Sequence, residues 1–162
     1  RLISCWADAN AASFAVELGA RFPQARIQAK GLIATEAFVS LPVDGEAGAS
    51  LAIRSHFFEF LPLLDAGVDT DSPQLAHQLE TGARYEVVVT TGGGLYRYRL
   101  FDAVEVVGRR RQTPLLRFLG KTNLISDHFG EKLDERQVRQ AVAGLLTGRA
   151  SAPRLRCWPA NG

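Results

Sequence analysis

The 162-residue chain is 46% hydrophobic and 22% charged, with a formal net charge of +2. This is the balance of an ordinary globular protein with room for one sizeable core, and so small a charge gives no reason to expect a nucleic-acid partner. No apolar run approaches the roughly 20 residues of a membrane-spanning helix, so no membrane is expected either. Cys5 and Cys157 lie at opposite ends and offer neither a disulfide framework nor metal spacing, which fits a reducing, cytoplasmic setting. The chain has no Met, starts at Arg1 in strand-like text and shows no charged-then-apolar leader. The expectation is a fragment of a longer protein without a secretory signal.

Residues 2–6 read as a strand. Residues 9–18 place Ala12, Phe14, Val16 and Leu18 at helical spacing, with Asp8 or Asn10 as cap and Gly19 as stop. Phe22-Pro23 breaks the chain. Residues 25–30 alternate and predict a strand, and 31–41 form a second apolar run that ends at Pro42. Residues 43–50 are a turn. Residues 51–54 and 57–64 are strand material with a bend at Pro62, followed by a loop over 65–73 and a short helical turn or loop over 74–81.

From Arg84 the text is β-rich, with strands predicted over 85–91, 95–99, 103–108 and 115–120. Gly92-Gly93-Gly94 joins the first two as a hairpin. These glycines do not precede a helix, so a turn explains them better than a phosphate cradle. Arg109-Arg110-Arg111 reads as a solvated hairpin end. Residues 134–146 predict a helix capped by Asp134, with Val138, Val142 and Leu145 or Leu146 on one face and Gly148 at its end.

Three segments carry chemistry. Asp102 ends a strand beside Tyr98-Arg99, and an ionised carboxylate can accept two hydrogen bonds from a ribose diol, although a turn residue is the commoner reading of such an Asp. Thr35-Glu36 ends an apolar run. Its hydroxyl and carboxylate could face a triphosphate and Mg²⁺, a cation that takes hard oxygen ligands, or could form a helix cap or an edge-strand polar pair. Lys121, after Gly120, could reach a ribose or phosphate or could be a solvated turn lysine. His56, His77 and His128 have no triad-like company. His56, Phe38, Val39 and Leu41 could line an acyl pocket or simply pack in the core.

The order of these segments is more specific than any one of them. Lys30-Gly31-Leu32-Ile33-Ala34-Thr35-Glu36, Phe57-Phe58-Glu59-Phe60-Leu61-Pro62 and Gly94-Leu95-Tyr96-Arg97-Tyr98-Arg99-Leu100-Phe101-Asp102 are followed by Gly120-Lys121-Thr122-Asn123 and by Gly130-Glu131-Lys132. Together they resemble the adenylate-forming superfamily and, within it, the auxin-responsive promoter family of acyl-acid amido synthetases. The resemblance implies a mixed α/β fold with much antiparallel sheet. Residues 1–119 would be the later part of a large adenylating domain with a distorted barrel-like subdomain, 120–126 a hinge, and 127–162 the start of a small C-terminal domain.

It also implies a ligase that uses ATP and Mg²⁺ to activate a small carboxylic acid as an acyl-adenylate and passes it to an amine, usually an amino acid. Glu36 would hold Mg²⁺ and take part in catalysis, with Thr35 beside it on the phosphate or acyl-adenylate. Asp102 would hold the ribose hydroxyls. Lys121 stands where the family usually has arginine on the ribose or phosphate, and an ammonium cannot reproduce the guanidinium fork. Lys132 would approach the phosphates when the small domain closes, as a second catalytic group. Tyr98 and Arg99 would be scaffolding of their strand. Phe101 replaces the family's Gly before the aspartate, and Leu32 and Ile33 stand where an aromatic often stacks on adenine. The family's Ser/Thr/Gly-rich phosphate loop is not in this stretch, so the fragment alone should not turn over. An acyl-CoA ligase of the same superfamily and a non-catalytic binding module on the same scaffold are the alternatives.

Overall fold

The computed structural model describes residues 1–123 and the backbone of 125–126 and 133–134. The chain divides into two compact units, residues 1–122 and 123–162. In the first unit, β1 (Leu2–Cys5) leads through a 3-10 turn (Ala9–Ala11) into α1 (Ala12–Arg21) and β2 (Arg26–Ala29). β1 and β2 pair in parallel, Leu2 opposite Arg26 and Cys5 opposite Ala29, so this is a strand–helix–strand unit. The helix runs past Gly19 to Arg21, and its cap is Ala11, not Asp8 or Asn10. Asp8 precedes the 3-10 turn without capping it. Burial raises its carboxyl above the ordinary value, a rise that the nearby Phe118 backbone N–H and the Arg117 charge oppose.

The other strands of this unit form one seven-stranded antiparallel sheet. They are β3 (Ser40–Pro42), β4 (Ala49–Leu51), β5 (Phe57–Leu64), β6 (Gly67–Val68), β7 (Arg84–Thr90), β8 (Tyr98–Arg110) and β9 (Thr113–Lys121). Their spatial order is β3-β4-β9-β8-β7-β5-β6. The mixed, sheet-rich fold expected from the sequence is therefore present. The second unit contributes the short antiparallel pair β10 (Ile125–Ser126) and β11 (Leu133–Asp134). Asp134 thus lies in a strand and does not open a helix, while residues 135–146 of the predicted helix lie outside the described residues.

β7 is buried along residues 85–89 because it lies between β5 and β8 and is covered on both faces. Tyr85, Val87 and Val89 point to one side, by the two-residue period of a strand. There they pack with Phe58 and Phe60 of β5, with Leu100, Val104 and Val106 of β8, and with Val39, Leu51 and Leu116. Phe60, fully buried, meets Tyr85 edge-on at 6.2 Å between ring centres and lies 6.4 Å from Phe58. This aromatic line explains the Phe-Glu-Phe-Leu-Pro string: its alternate residues Phe58 and Phe60 are core, and Glu59 on the opposite side reaches Arg97 at 3.0 Å.

Two further expectations change in the structure. β8 is one 13-residue strand where two were predicted, and it begins only at Tyr98. The glycines belong to a wider loop over 91–97, pinned by Leu95 and Arg97 N–H groups that donate to the Thr91 and Thr90 hydroxyls. Arg109 is exposed, as expected of a hairpin end, but it is not free. Its guanidinium donates to the carbonyls of His77, Leu79 and Gln112, and so ties the irregular 74–81 segment to the β8–β9 hairpin.

Truncating Phe60 to Ala should remove the centre of the aromatic line and cost about 3–5 kcal/mol of stability. Chemical denaturation should show it as a lowered midpoint at unchanged slope; a loss below about 1 kcal/mol would mean that the core does not depend on this ring.

Candidate functional site

Thr35 and Glu36 sit at the exposed tip of a narrow turn whose arms meet at Ile33 and Phe38. The Ala34 N–H donates to the Ala37 carbonyl at 3.0 Å and closes the turn. Its base is fixed by Ser40, which is buried and whose hydroxyl accepts the Leu32 N–H at 2.9 Å. Gly31 enters this base at φ +79°, and a Cβ there would stand 2.7 Å from the Ser40 carbonyl oxygen. Only glycine meets both conditions, since positive φ disfavours a side chain and the backbone oxygen leaves no room for one. The two exposed polar groups therefore ride on a rigid foot, not on a loose loop. Of the candidate acyl-pocket residues, Val39 is core, whereas Phe38 and Leu41 are about two-fifths exposed.

Asp102 and Lys121 come together at the other arm of the site. They are cross-strand partners on β8 and β9. Lys121 Nζ lies 2.8 Å from Asp102 Oδ1 and donates to the Leu100 carbonyl at 2.9 Å. Asp102 is 2% exposed, and the lysine side chain is about half exposed. Neither is a plain turn residue. Lys132 lies outside the described residues.

The aspartate owes its position to a bulge. Arg99 pairs with Val88 and Ala103 pairs with Glu86, so Leu100, Phe101 and Asp102 are fitted opposite Val87 alone. Extra residues bend a strand and re-aim its side chains. Phe101 takes the strain, at φ +56°, a region costly for a bulky residue. That backbone is one where a glycine would sit without cost. Here the Phe101 ring is covered by the Arg99 guanidinium, 4.9 Å from its centre, an arrangement that attracts a cation to an aromatic face.

Sequence reasoning missed Glu86 and Thr122. Glu86 is fully buried; it accepts from Arg99 Nε at 2.5 Å and Nη2 at 3.1 Å, and from the Thr122 hydroxyl. The signal was present: a glutamate between Tyr85 and a run of three valines needs a partner, because an unpaired buried charge is prohibitively costly. Arg99 is scaffolding, as expected, but of this carboxylate in particular.

A cavity of 290 Å³ lies elsewhere in the unit, lined among others by Asp8, Arg26, Asp44, Gly48 and Arg117. None of the predicted site residues lines it. Among the described residues no cluster of three or more His, Cys, Asp or Glu could hold a metal ion.

Residues 49–121 match the GH3 family central domain. The chain is 37% identical over 89 residues to indole-3-acetic acid-amido synthetase GH3.4 of Arabidopsis thaliana, covering 53% of this chain and 15% of that protein. It is 36% identical over 117 residues to putative indole-3-acetic acid-amido synthetase GH3.10 of Oryza sativa subsp. japonica, covering 71% and 23%. It is 39% identical over 89 residues to jasmonoyl–L-amino acid synthetase JAR6 of Nicotiana attenuata, covering 53% and 15%. The solved structure of the GH3.15 acyl acid amido synthetase superposes with a TM-score of 0.68 at 22% identity, over 88% of this chain and 26% of that one. The chain therefore spans less than a quarter of the length of these curated relatives.

Burial pushes the Asp102 carboxyl above its ordinary value of 3.8; the Lys121 hydrogen bond and charge pull it down, and the Glu36 and Glu86 charges push it up. Glu36 thus lies within electrostatic reach of Asp102. Because the group binds its proton more tightly folded than unfolded, its contribution to stability is full below the unfolded value and declines as pH rises through the folded one. Lys121→Gln removes the downward pull and should move this decline to higher pH, while Asp102→Asn should abolish it. Unfolding midpoints from about pH 3 to pH 7 test this; superimposable curves for all three proteins would show that the pair is not coupled to folding.

Proposed function

We propose, on the premise that this chain belongs to the GH3 family, that its parent protein is an ATP-dependent ligase that joins a small carboxylic acid to an amine, such as an amino acid. The observation that carries the proposal is the buried Asp102, aimed by the β8 bulge and held by Lys121, with the exposed Glu36 carboxylate within electrostatic reach. The names of the relatives, as amido synthetases acting with indole-3-acetic or jasmonic acid, support an amine acceptor over coenzyme A.

The residues suit this chemistry by donor type. The Asp102 carboxylate has acceptor sites beyond the one that Lys121 uses, and a ribose diol supplies two donors. Lys121 adds a half-exposed positive charge for a nearby anionic oxygen. Glu36 offers a hard, solvent-facing carboxylate, and Mg²⁺ commonly binds through one or two carboxylates plus substrate phosphates. Bound there, the ion would neutralise charge developing on the phosphate oxygens. Thr35 beside it would donate a hydroxyl hydrogen bond to a phosphate or acyl-adenylate oxygen.

In the first step a carboxylate oxygen attacks the α-phosphorus and the bond to pyrophosphate breaks. In the second an amine attacks the activated carbonyl and AMP leaves. No protein nucleophile is required; the chain's part is to position and to stabilise charge. Lys132, the hinge at 120–126 and a small domain over 127–162 belong to this proposal, as does a cytoplasmic location, consistent with the free thiol of Cys5.

Carboxylate-dependent ATP–pyrophosphate exchange by the parent protein tests the reading, followed by product analysis with amino acids or coenzyme A. Exchange with amide product supports it, a thioester would make the protein an acyl-CoA ligase, and no exchange and no ATP binding would leave a non-catalytic module. Asp102→Ala should raise the KM for ATP about tenfold or more through lost charge-assisted hydrogen bonds; an unchanged KM removes Asp102 from the ribose. Glu36→Ala should demand a higher magnesium concentration for half-maximal exchange, and a magnesium titration identical to wild type would exclude it as a ligand.

A further inference from the structure

We infer that Glu86 is a positioning residue for the Asp102–Lys121 pair, acting through Arg99 and Thr122; this rests on the proposed reading of Asp102 as the ribose contact. Glu86 touches neither Asp102 nor Lys121 by any hydrogen bond in the structure, yet its three donors grip the chain on both sides of them. Arg99 immediately precedes the bulge, and its guanidinium closes on both carboxylate oxygens of Glu86. Thr122 immediately follows Lys121, and its hydroxyl closes on Glu86 Oε2. The Thr122 backbone N–H also donates to the Phe101 carbonyl at 2.8 Å, inside the bulge itself. One buried carboxylate therefore fixes the entry to Leu100-Phe101-Asp102 from β8 and the end of β9 that lies across it.

Stability alone is a poor reason for such a group. A buried ion pair is often no better for stability than apolar residues of the same volume, and Val87, Val88 and Val89 beside it show that this strand readily carries them. What the charge adds is direction. It draws a guanidinium and a hydroxyl to fixed positions, and with them a backbone that would otherwise relax from the positive φ of Phe101. Without that hold, the two extra residues of β8 could settle in other ways opposite Val87, and Asp102 would lose its aim at a ligand while remaining in the sheet. Supporting shells of this kind set the geometry of binding groups to within about half an ångström.

The test is a ratio. Equilibrium dissociation constants for ATP and for 2′-deoxy-ATP are measured on the full-length parent protein, on Asp102→Ala, Glu86→Gln, Thr122→Val and Thr122→Ser. A correctly aimed Asp102 should favour ATP, and Asp102→Ala should erase that preference. Glu86→Gln and Thr122→Val should reduce the preference about tenfold, the size of a lost hydrogen bond to a charged group, and Thr122→Ser, which keeps the hydroxyl, should restore it. Thr122→Val carries the same test should Glu86→Gln fail to fold. A preference that falls in Asp102→Ala but persists in Thr122→Val and in any folded Glu86→Gln, whatever their melting temperatures, overturns the positioning role and leaves the ribose reading intact. No preference in the wild type, or one that Asp102→Ala leaves unchanged, overturns the ribose reading and this inference with it.

Discussion

Three residues of β8 are fitted opposite one of β7, and most of what is distinctive in this unit follows from that mismatch. A regular antiparallel ladder would send Asp102 along with its neighbours in strict alternation. The bulge interrupts the alternation and places a carboxylate where the sheet would otherwise carry another apolar side chain. The price appears at Phe101, whose backbone takes up a left-handed conformation. The compensation comes from its surroundings: the guanidinium of Arg99 over the ring, and the Thr122 N–H on its carbonyl.

The buried polar groups of the unit form a consistent set. Asp102 and Glu86 are nearly or wholly inaccessible, and each has a cation and at least one hydrogen bond. Neither cation is fully buried, since Arg99 and Lys121 keep about a third to a half of their side chains in solvent. The desolvation cost of each pair is therefore carried mainly by the carboxylate. Burial raises the pKa of Asp102 even with Lys121 in place. A group held in that condition is sensitive to any further charge brought near it.

The turn that carries Thr35 and Glu36 solves a different problem. Exposed polar tips usually move. Here Gly31, Ser40 and the Ile33–Phe38 bridge fasten the tip to β3 and, through Ala49, to β4. The sheet thus carries both features, with the acidic tip near one end and the bulge at its centre. The extent of the family match, 49–121, covers β4 to β9 and so includes Asp102 and Lys121 but not the tip.

Local sequence determined a good deal of this. The helix before residue 21 and the Phe57–Leu64 and Arg84–Thr90 strands were legible from alternation and glycine placement, because strand periodicity and turn chemistry act over a few neighbouring residues. The fate of Arg109, the single length of β8 and the partnership of Asp102 with Lys121 were not, because they depend on residues 19 or more positions away or on a register slip with no local mark. Glu86 lies between these cases: its oddity among valines could be read in the chain, but its partners Arg99 and Thr122 could be identified only once β7, β8 and the end of β9 were side by side. Sequence alone set which chemical groups were available; the tertiary structure decided which carboxylate was buried, which cation faced it and where the strain was held, since those follow from packing across strands distant in the chain.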